Sequence, residues 1–331
     1  MNSWIKDAIF YEIYPTSFCD SNGDGIGDLN GITQKLPYVR DLGFNAVWIN
    51  PFFKSPFLDG GYDVQDYYAI DEKFGTMEDF ENLIKKAKEL GIRVVIDLVI
   101  GHTSNQHPWF LKSAQFEKNE YSDWYIWTDS IFNKYGSNTI HGLYPRDAGY
   151  YMNYYACQPG LNFGWNKVEE VYEKKSIWDL GESWKIHYKD DRLKPLREEI
   201  LKIMKFWLAK GVDGFRVDMA ASLIKGCGTG HTDDPEELEG LIWLWDYFIG
   251  NVKKEYPEAA FVAEWGYPSA SIGKCGFDID YLAHENQEYN ELFRNEPNSN
   301  IIRPFEQGDN YFSPNGKGDI SNFIKLADKF F

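Results

Sequence analysis

Positive charge is what this sequence has least of: 34 Lys and Arg face 51 Asp and Glu, a net charge of −17 over 331 residues. A phosphate-binding surface needs a basic patch, so no nucleic acid and no anionic membrane is expected as a partner. Long apolar runs are missing too, since no window approaches the roughly 20 residues that cross a bilayer. Cysteine is scarce. Cys19, Cys157, Cys227 and Cys275 lie far apart and form no CxxC pair, which reads as free thiols in a reduced compartment and not as a zinc site. The first residues, Met1-Asn2-Ser3-Trp4-Ile5-Lys6-Asp7, carry no signal-peptide pattern. No GxGxxG or P-loop follows any apolar run, which removes the usual nucleotide-binding reading. These absences together predict a soluble, cytoplasmic protein.

What is present is apolar and aromatic. The hydrophobic fraction of 43% is ample for a buried core, and 17% of the residues are Phe, Trp or Tyr, including 12 Trp. Aromatics fill cores, and their flat faces also stack on the apolar faces of pyranose rings; composition leaves both uses open. Along the chain, short apolar strands alternate with amphipathic helices. Ile9 to Tyr14 reads as a first strand, Ile32 to Leu42 as a helix ended by Gly43, and Asn45 to Asn50 as a second strand. Thr76 and Asp79 form a capping box, Phe80, Leu83, Ile84, Ala87 and Leu90 share one face, and Gly91 follows at the C-terminus. Val94 to Ile100 is apolar on both faces apart from Asp97, the pattern of a parallel strand covered on both sides.

Residues 103–182 break the rhythm; they are rich in Tyr, Trp, Asn and Gly and poor in periodicity. They read as an inserted domain, leaving residues 1–102 and 183–331 for the main one. After the insertion come a helix from Pro195 to Gly211, a strand to Asp218, a helix opened by Asp234-Pro235, a strand to Glu264, a strand over Phe277 to Tyr281, and a closing helix from Ile320 to Phe331. Such alternation suits a doubly wound sheet or a (β/α)8 barrel. Carboxylates at the ends of several strands favour the barrel, whose active face is built there. About six β/α units are legible, so the barrel is incomplete as read.

Three of those strand ends carry the chemistry: Asp97 and His102 in Val94 to His102, Arg216 and Asp218 in Gly214 to Met219, and Glu264 in Phe261 to Trp265. Asp218 and Glu264 form the pair of carboxylates that glycoside hydrolysis requires. Arg216, two residues before Asp218, shares its face of the strand and is expected to hold it ionised by lowering its pKa. Glu264, between Phe261, Val262 and Trp265, is expected in an apolar setting that raises its pKa, as an acid requires.

With Asp-Gly-Gly-Tyr-Asp-Val at 59–64, Gln158-Pro159-Gly160-Leu161-Asn162, and the Asp97, Arg216/Asp218 and Glu264 segments in order, the chain resembles the α-amylase superfamily, within the group of oligo-1,6-glucosidase, α-glucosidase and trehalose synthase. The likeness runs along nearly the whole chain. It implies a (β/α)8 barrel of the TIM type with a small domain inserted after the third strand, and a retaining enzyme acting on α-glucosidic bonds of neutral α-glucan oligosaccharides. By that resemblance Asp218 is the nucleophile and Glu264 the general acid/base. His102 would donate to a hydroxyl of the sugar beside the cleaved bond, Tyr62 would stack on that ring, Asp59 would bind hydroxyls at the pocket floor, and Phe163 would stand at the pocket wall.

Asp20-Ser21-Asn22-Gly23-Asp24-Gly25-Ile26-Gly27-Asp28 reads as a metal loop on its own. Oxygen ligands at loop positions 1, 3, 5 and 9, with Gly at 6 and a carbonyl at 7, follow calcium-loop logic. Position 12 is Gly31, not Glu, and no flanking helix pair is evident. The set resembles the single structural Ca²⁺ loop of the oligo-1,6-glucosidase group, with Asp20, Asn22, Asp24, the Ile26 carbonyl and Asp28 as ligands.

The sequence departs from the family pattern in several places. Gly101 stands where many members have a calcium-binding Asn, so a second calcium site is expected to be absent. Gly160 replaces an Asp, and Met219 after the nucleophile matches neither pattern tied to linkage preference. The family's third carboxylate, in an Asn-His-Asp motif after the seventh strand, does not occur in the 331 residues; His284-Glu285-Asn286 comes too early to replace it. The chain is therefore expected to be a shortened member with little activity of its own. Two other readings stay open: a transglycosylase or isomerase using the same intermediate, and a non-catalytic carbohydrate-binding or scaffold relative.

Overall fold

The computed structural model describes residues 4–133, 136–169, 181–228 and 230–281, together with the helical positions Ser321, Ile324 and Asp328. The rest of the expected closing helix, and His284-Glu285-Asn286, lie outside the described residues. Six parallel strands form the main sheet: β1 (Phe10–Ile13), β2 (Ala46–Ile49), β3 (Arg93–Leu98), β4 (Gly214–Val217), β5 (Ala260–Ala263) and β6 (Ile279–Asp280). Their spatial order is their chain order. A doubly wound sheet reverses direction at a switch point; this one never does, so it is the arc of a barrel. Four long helices connect the strands: α1 (Leu29–Asp41), α2 (Met77–Glu89), α3 (Lys194–Ala209) and α4 (Glu239–Lys253). The arc curves enough that Trp48 of β2 meets Tyr281 beyond β6, with ring centroids 6.4 Å apart. At the opposite end of the strands, the Trp4 indole donates to the Glu258 carbonyl at 3.1 Å.

Local sequence explains most boundaries. Thr76 and Asp79 make both reciprocal bonds of the capping box at the start of α2, and Gly91 and Gly211 take positive φ just past α2 and α3. Helix α1 starts earlier than its apolar periodicity suggests, because Asp28 caps it by accepting from the Gly31 N–H at 2.7 Å. Gly214 answers a packing need: a Cβ there would stand 2.2 Å from the Ala260 carbonyl oxygen of β5.

Between the sheet and α2 and α3, Phe52, Phe53, Phe80 and Trp207 interlock, with Phe80 edge-on to Trp207 at 5.1 Å. Each such burial stabilises the fold by roughly 1.5–3 kcal/mol. Within 103–182 the described residues form a two-stranded ribbon, Thr139–Ile140 with Tyr150–Tyr151. Beside it Phe110 stacks on Trp127 at 5.6 Å and meets Tyr125, Tyr144 and Tyr150 edge-on.

One helix start differs from expectation. Asp234-Pro235 does not open α4; the Asp234 carboxylate accepts from the Glu236 N–H at 2.9 Å in a turn, and the helix begins at Glu239. Its cap comes from a distance. The buried Asn166 side chain accepts from the Gly240 N–H at 2.8 Å and donates to the Glu236 and Glu237 carbonyls at 3.1 and 3.0 Å. Asn166→Ala strands these groups in the interior and is expected to cost about 1–3 kcal/mol in urea denaturation. Asn166→Asp, which keeps the acceptor and loses the donor, should fall between.

Candidate active site

Strand register assembles the site. In the parallel ladder Asp97 stands opposite Arg216, and Arg216 opposite Val262. Past the strand ends the pairing continues, the Asp218 N–H donating to the Leu98 carbonyl at 3.1 Å and the Glu264 N–H to the Val217 carbonyl at 3.0 Å. Side chains at matched positions of neighbouring strands point to one face, so the three carboxylates converge at the C-terminal end of the sheet.

Arg216 holds all three. Its Nη1 donates to Asp97 Oδ1 at 2.6 Å and to Asp218 Oδ1 at 3.0 Å, and its Nη2 lies 2.7 Å from Glu264 Oε1. Trp48 completes the clamp: its indole N–H donates to Asp97 Oδ2 at 2.8 Å, and its ring faces the guanidinium at 4.9 Å. Asp97 and Arg216 are 1% and 5% exposed. Burial raises the Asp97 pKa to about 6 in spite of the guanidinium. Burial by itself would lower the pKa of Arg216, but the surrounding carboxylates raise it further.

The electrostatic expectation for Asp218 is reversed, and the expected surroundings of Glu264 are not found. Asp218 is not held ionised: burial and then the Glu264 charge raise its pKa well above the usual carboxylate value, against the pull of Arg216. Glu264 is not in an apolar setting; its side chain is 43% exposed, ion-paired to Arg216, and accepts the Met219 N–H at 2.8 Å. Three carboxylates share one guanidinium, and the most enclosed of them bear the cost of desolvation. Asp218 and Glu264 are held on the same guanidinium, Asp218 at Nη1 and Glu264 at Nη2. Met219 adopts a left-handed φ of 46°, a strained conformation for a non-glycine residue that aims its N–H at Glu264.

The other expected site residues divide. The Tyr62 hydroxyl accepts from Asn50 Nδ2 at 2.9 Å and lies 3.3 Å from Asp97 Oδ2, so it joins the cluster. Asp59 sits on the adjoining turn and accepts from Gln158 Nε2 at 2.6 Å; burial raises its pKa. His102 is 2% exposed and spends both ring nitrogens inside the protein, Nε2 on the Tyr62 carbonyl at 3.1 Å and Nδ1 on the Asn153 amide at 3.0 Å. Burial lowers its pKa to about 4. A neutral His102 thus ties the end of β3 to the insertion, and Asn153 fills the space beside Gly101. Phe163 does not form a pocket wall: fully buried, it packs edge-on against Phe248 of α4 at 6.1 Å.

Beside Glu264 a cavity of about 340 Å³ opens, lined by Glu12, Trp48, Arg216, Trp265 and Tyr281 among others. Glu12, Trp48 and Tyr281 were missed by the sequence reading. Each lies at or near the C-terminal end of an expected strand, the same signal that identified Asp97.

In the loop at 20–28, Asp20 accepts from the Gly23 and Gly25 N–H groups at 2.7 and 2.8 Å, Asn22 from Asp24 and Asp24 from Ile26. Those amides lower the Asp20 pKa. Asp28 is turned inward as the cap of α1 and accepts from Ser21. Among the described residues no three His, Cys, Asp or Glu side chains gather closely enough to hold a metal. The donor set is nevertheless one of hard oxygens, and the oxygens of Asp20, Asn22 and Asp24 follow the turn by short local bonds, a chemistry that fits a calcium-type cation.

With the geometry in hand, comparison with known proteins is informative. Residues 12–265 match the family model described as the alpha amylase catalytic domain. The chain is 40% identical over 262 residues to Alpha-amylase 3 of Dictyoglomus thermophilum, covering 79% of this chain and 44% of that protein. It is 35% identical to an oligo-1,6-glucosidase of Heyndrickxia coagulans, covering 88% and 50%. A solved trehalulose synthase, MutB from Pseudomonas mesoacidophila MX-45, superposes with a TM-score of 0.68 at 31% identity, covering 88% of this chain and 51% of that one. The chain thus spans about half the length of the relatives it matches.

The charge distribution has a consequence for stability. Asp97 and Asp218 both have raised pKa values in the folded state, so their stabilising contribution is complete below the unfolded value near 3.8. That contribution is lost as pH rises through the folded values, for Asp97 through about 6. Asp218→Asn is therefore expected to raise the melting temperature at pH 8, with the gain shrinking toward pH 4. Melting curves across that range check the sign; a gain that is larger at pH 4 would contradict it.

Proposed function

The chain belongs to the alpha-amylase family, and we propose that it carries the machinery of a retaining glycoside hydrolase for α-glucosidic bonds of neutral oligosaccharides. One observation carries this reading above the rest: Arg216 gathers Asp97, Asp218 and Glu264 at the ends of three adjacent parallel strands beside a cavity. In the first step an Asp218 oxygen attacks the anomeric carbon while Glu264 protonates the glycosidic oxygen. The C1–O bond to the leaving sugar breaks, and a glycosyl ester to Asp218 forms. In the second, Glu264 takes a proton from water, the water oxygen bonds C1, and Asp218 leaves as carboxylate. The pair needs one proton between them. In the ligand-free protein burial favours the protonated form of Asp218, and Arg216, which contacts both carboxylates, would steady Asp218 as the proton passes to Glu264.

A second reading, transfer of the glycosyl group to a sugar, is supported by the likeness to trehalulose synthase; it uses the same intermediate with a different acceptor. We also propose that the loop at 20–28 holds a structural Ca²⁺ through Asp20, Asn22, Asp24, the Ile26 carbonyl and Asp28. The cation would supply local charge neutralisation, since the loop contributes no residue to the clamp.

Turnover of p-nitrophenyl α-glucoside is the readout for the catalytic assignment. What turnover there is should release the α-anomer, followed by NMR, and vanish in Asp218→Asn. Release of the β-anomer, or activity surviving in Asp218→Asn, would overturn the assignment. Added Ca²⁺ is expected to raise the melting temperature and EDTA to reverse it. Asp24→Ala should be indifferent to both; a variant still stabilised like the parent excludes the loop as the site.

A further inference from the structure

We infer that the inserted segment, together with residues 183–192 of the main domain, carries a second, non-catalytic site for a neutral sugar, in a cavity of about 370 Å³. That volume is at the small end of the roughly 300–1,000 Å³ of small-molecule sites. No residue lining it lines the catalytic cavity. The strand-like strip at 160–162 runs between the two: the Leu161 N–H donates to the Gly101 carbonyl just past β3, while Asn162 faces the second cavity.

The walls select the ligand class. Asp123, Asp129 and Asp147 stand against Lys118, Arg146 and Arg192, so the lining charges cancel. Arg146 is anchored, its Nη1 donating to the Ser113 and Ser122 carbonyls at 2.9 Å each and its guanidinium lying over the Trp127 ring at 4.7 Å. It takes part in none of the ion pairs within 4 Å among the described residues, although the Asp123 charge reaches both it and Arg192. Arg192 is oriented by a two-pronged bond to Asp190 at 2.9 and 3.1 Å. Phe116, 75% exposed, leaves a flat apolar face at the same cavity.

An anion would face three carboxylates there, and a cation three basic side chains. An apolar ligand would desolvate all six charges without returning a hydrogen bond, which is costly. A neutral polyol meets fixed donors and acceptors through its hydroxyls and covers Phe116 with its apolar ring face. Bound in this place, a sugar chain would be held on the insertion without occupying the cavity of Glu264.

The test titrates the 331-residue protein with maltotriose and sucrose, and with glucose 1-phosphate and glucosamine as charged counterparts, followed by calorimetry and protein NMR. The choice of maltotriose rests on the proposed α-glucoside reading; sucrose and the charged probes do not. Trp48→Ala serves to disable the catalytic cavity. In that background a neutral sugar is expected still to bind, about 10-fold more weakly once Phe116→Ala or Arg192→Ala is added, with both variants melting cooperatively. The proposal is overturned if Trp48→Ala alone abolishes binding of the neutral probes, if Phe116→Ala and Arg192→Ala leave affinity unchanged, or if a charged probe binds this cavity more tightly than either neutral sugar. Hydrolysis surviving in Asp218→Asn, with second-site binding intact, would sink the catalytic reading and leave this one standing.

Discussion

The guanidinium of Arg216 is the interaction on which the site depends. It lies among Asp97, Asp218 and Glu264 with two of the three acids deeply buried. One positive charge cannot neutralise three carboxylates in a medium that screens poorly. The most enclosed acids therefore rise in pKa, and the most exposed, Glu264, pairs with Arg216 at the rim. Trp48 makes the arrangement tolerable by donating to Asp97 and stacking on the guanidinium. Gathering three acids around one base costs stability, a trade common at functional sites.

The rest of the fold serves to keep that cluster in register. A parallel ladder with each strand beside its chain neighbour delivers Asp97, Arg216, Asp218 and Glu264 to one end without special loops. Gly214 lets β4 and β5 approach closely enough for the pairing. Behind the sheet, Trp207 and its Phe neighbours fix α2 and α3, while Trp245 of α4 donates to the Ala220 carbonyl in the turn after Asp218. At the end of β6, Asp280 accepts from the N–H groups of Trp265, Gly266 and Tyr267. Each of these ties bears on the placement of a carboxylate, where errors of about 1 Å can cost roughly 10²-fold in rate.

The insertion does two things at once. Through His102 and Asn153 it is stitched to the end of β3, so the turn carrying Asp59 and Tyr62 is braced from behind. On its other side it shapes a polar, charge-balanced cavity that shares no lining residue with the cavity beside Glu264. Among the described residues no helix is long and apolar enough to cross a membrane, and all four cysteines are free.

What the sequence determined by itself was local and periodic. The strand–helix alternation, the capping box of α2, the glycines that end α2 and α3, and the carboxylates at strand ends all follow from nearest-neighbour chemistry, and they placed Asp97, Arg216, Asp218 and Glu264 together. What only the tertiary structure decided was where distant groups meet. Asn166 caps α4 from more than seventy residues away, which no capping pattern near Asp234 could reveal. Phe163 reads as a sugar-facing aromatic until Phe248 is seen against it. Trp48 has the composition of a core residue, yet its indole meets Asp97 across the sheet. The raised pKa of Asp218 was likewise beyond reach: burial depends on every element packed around a group, and here it outweighs the neighbouring Arg that the sequence makes plain.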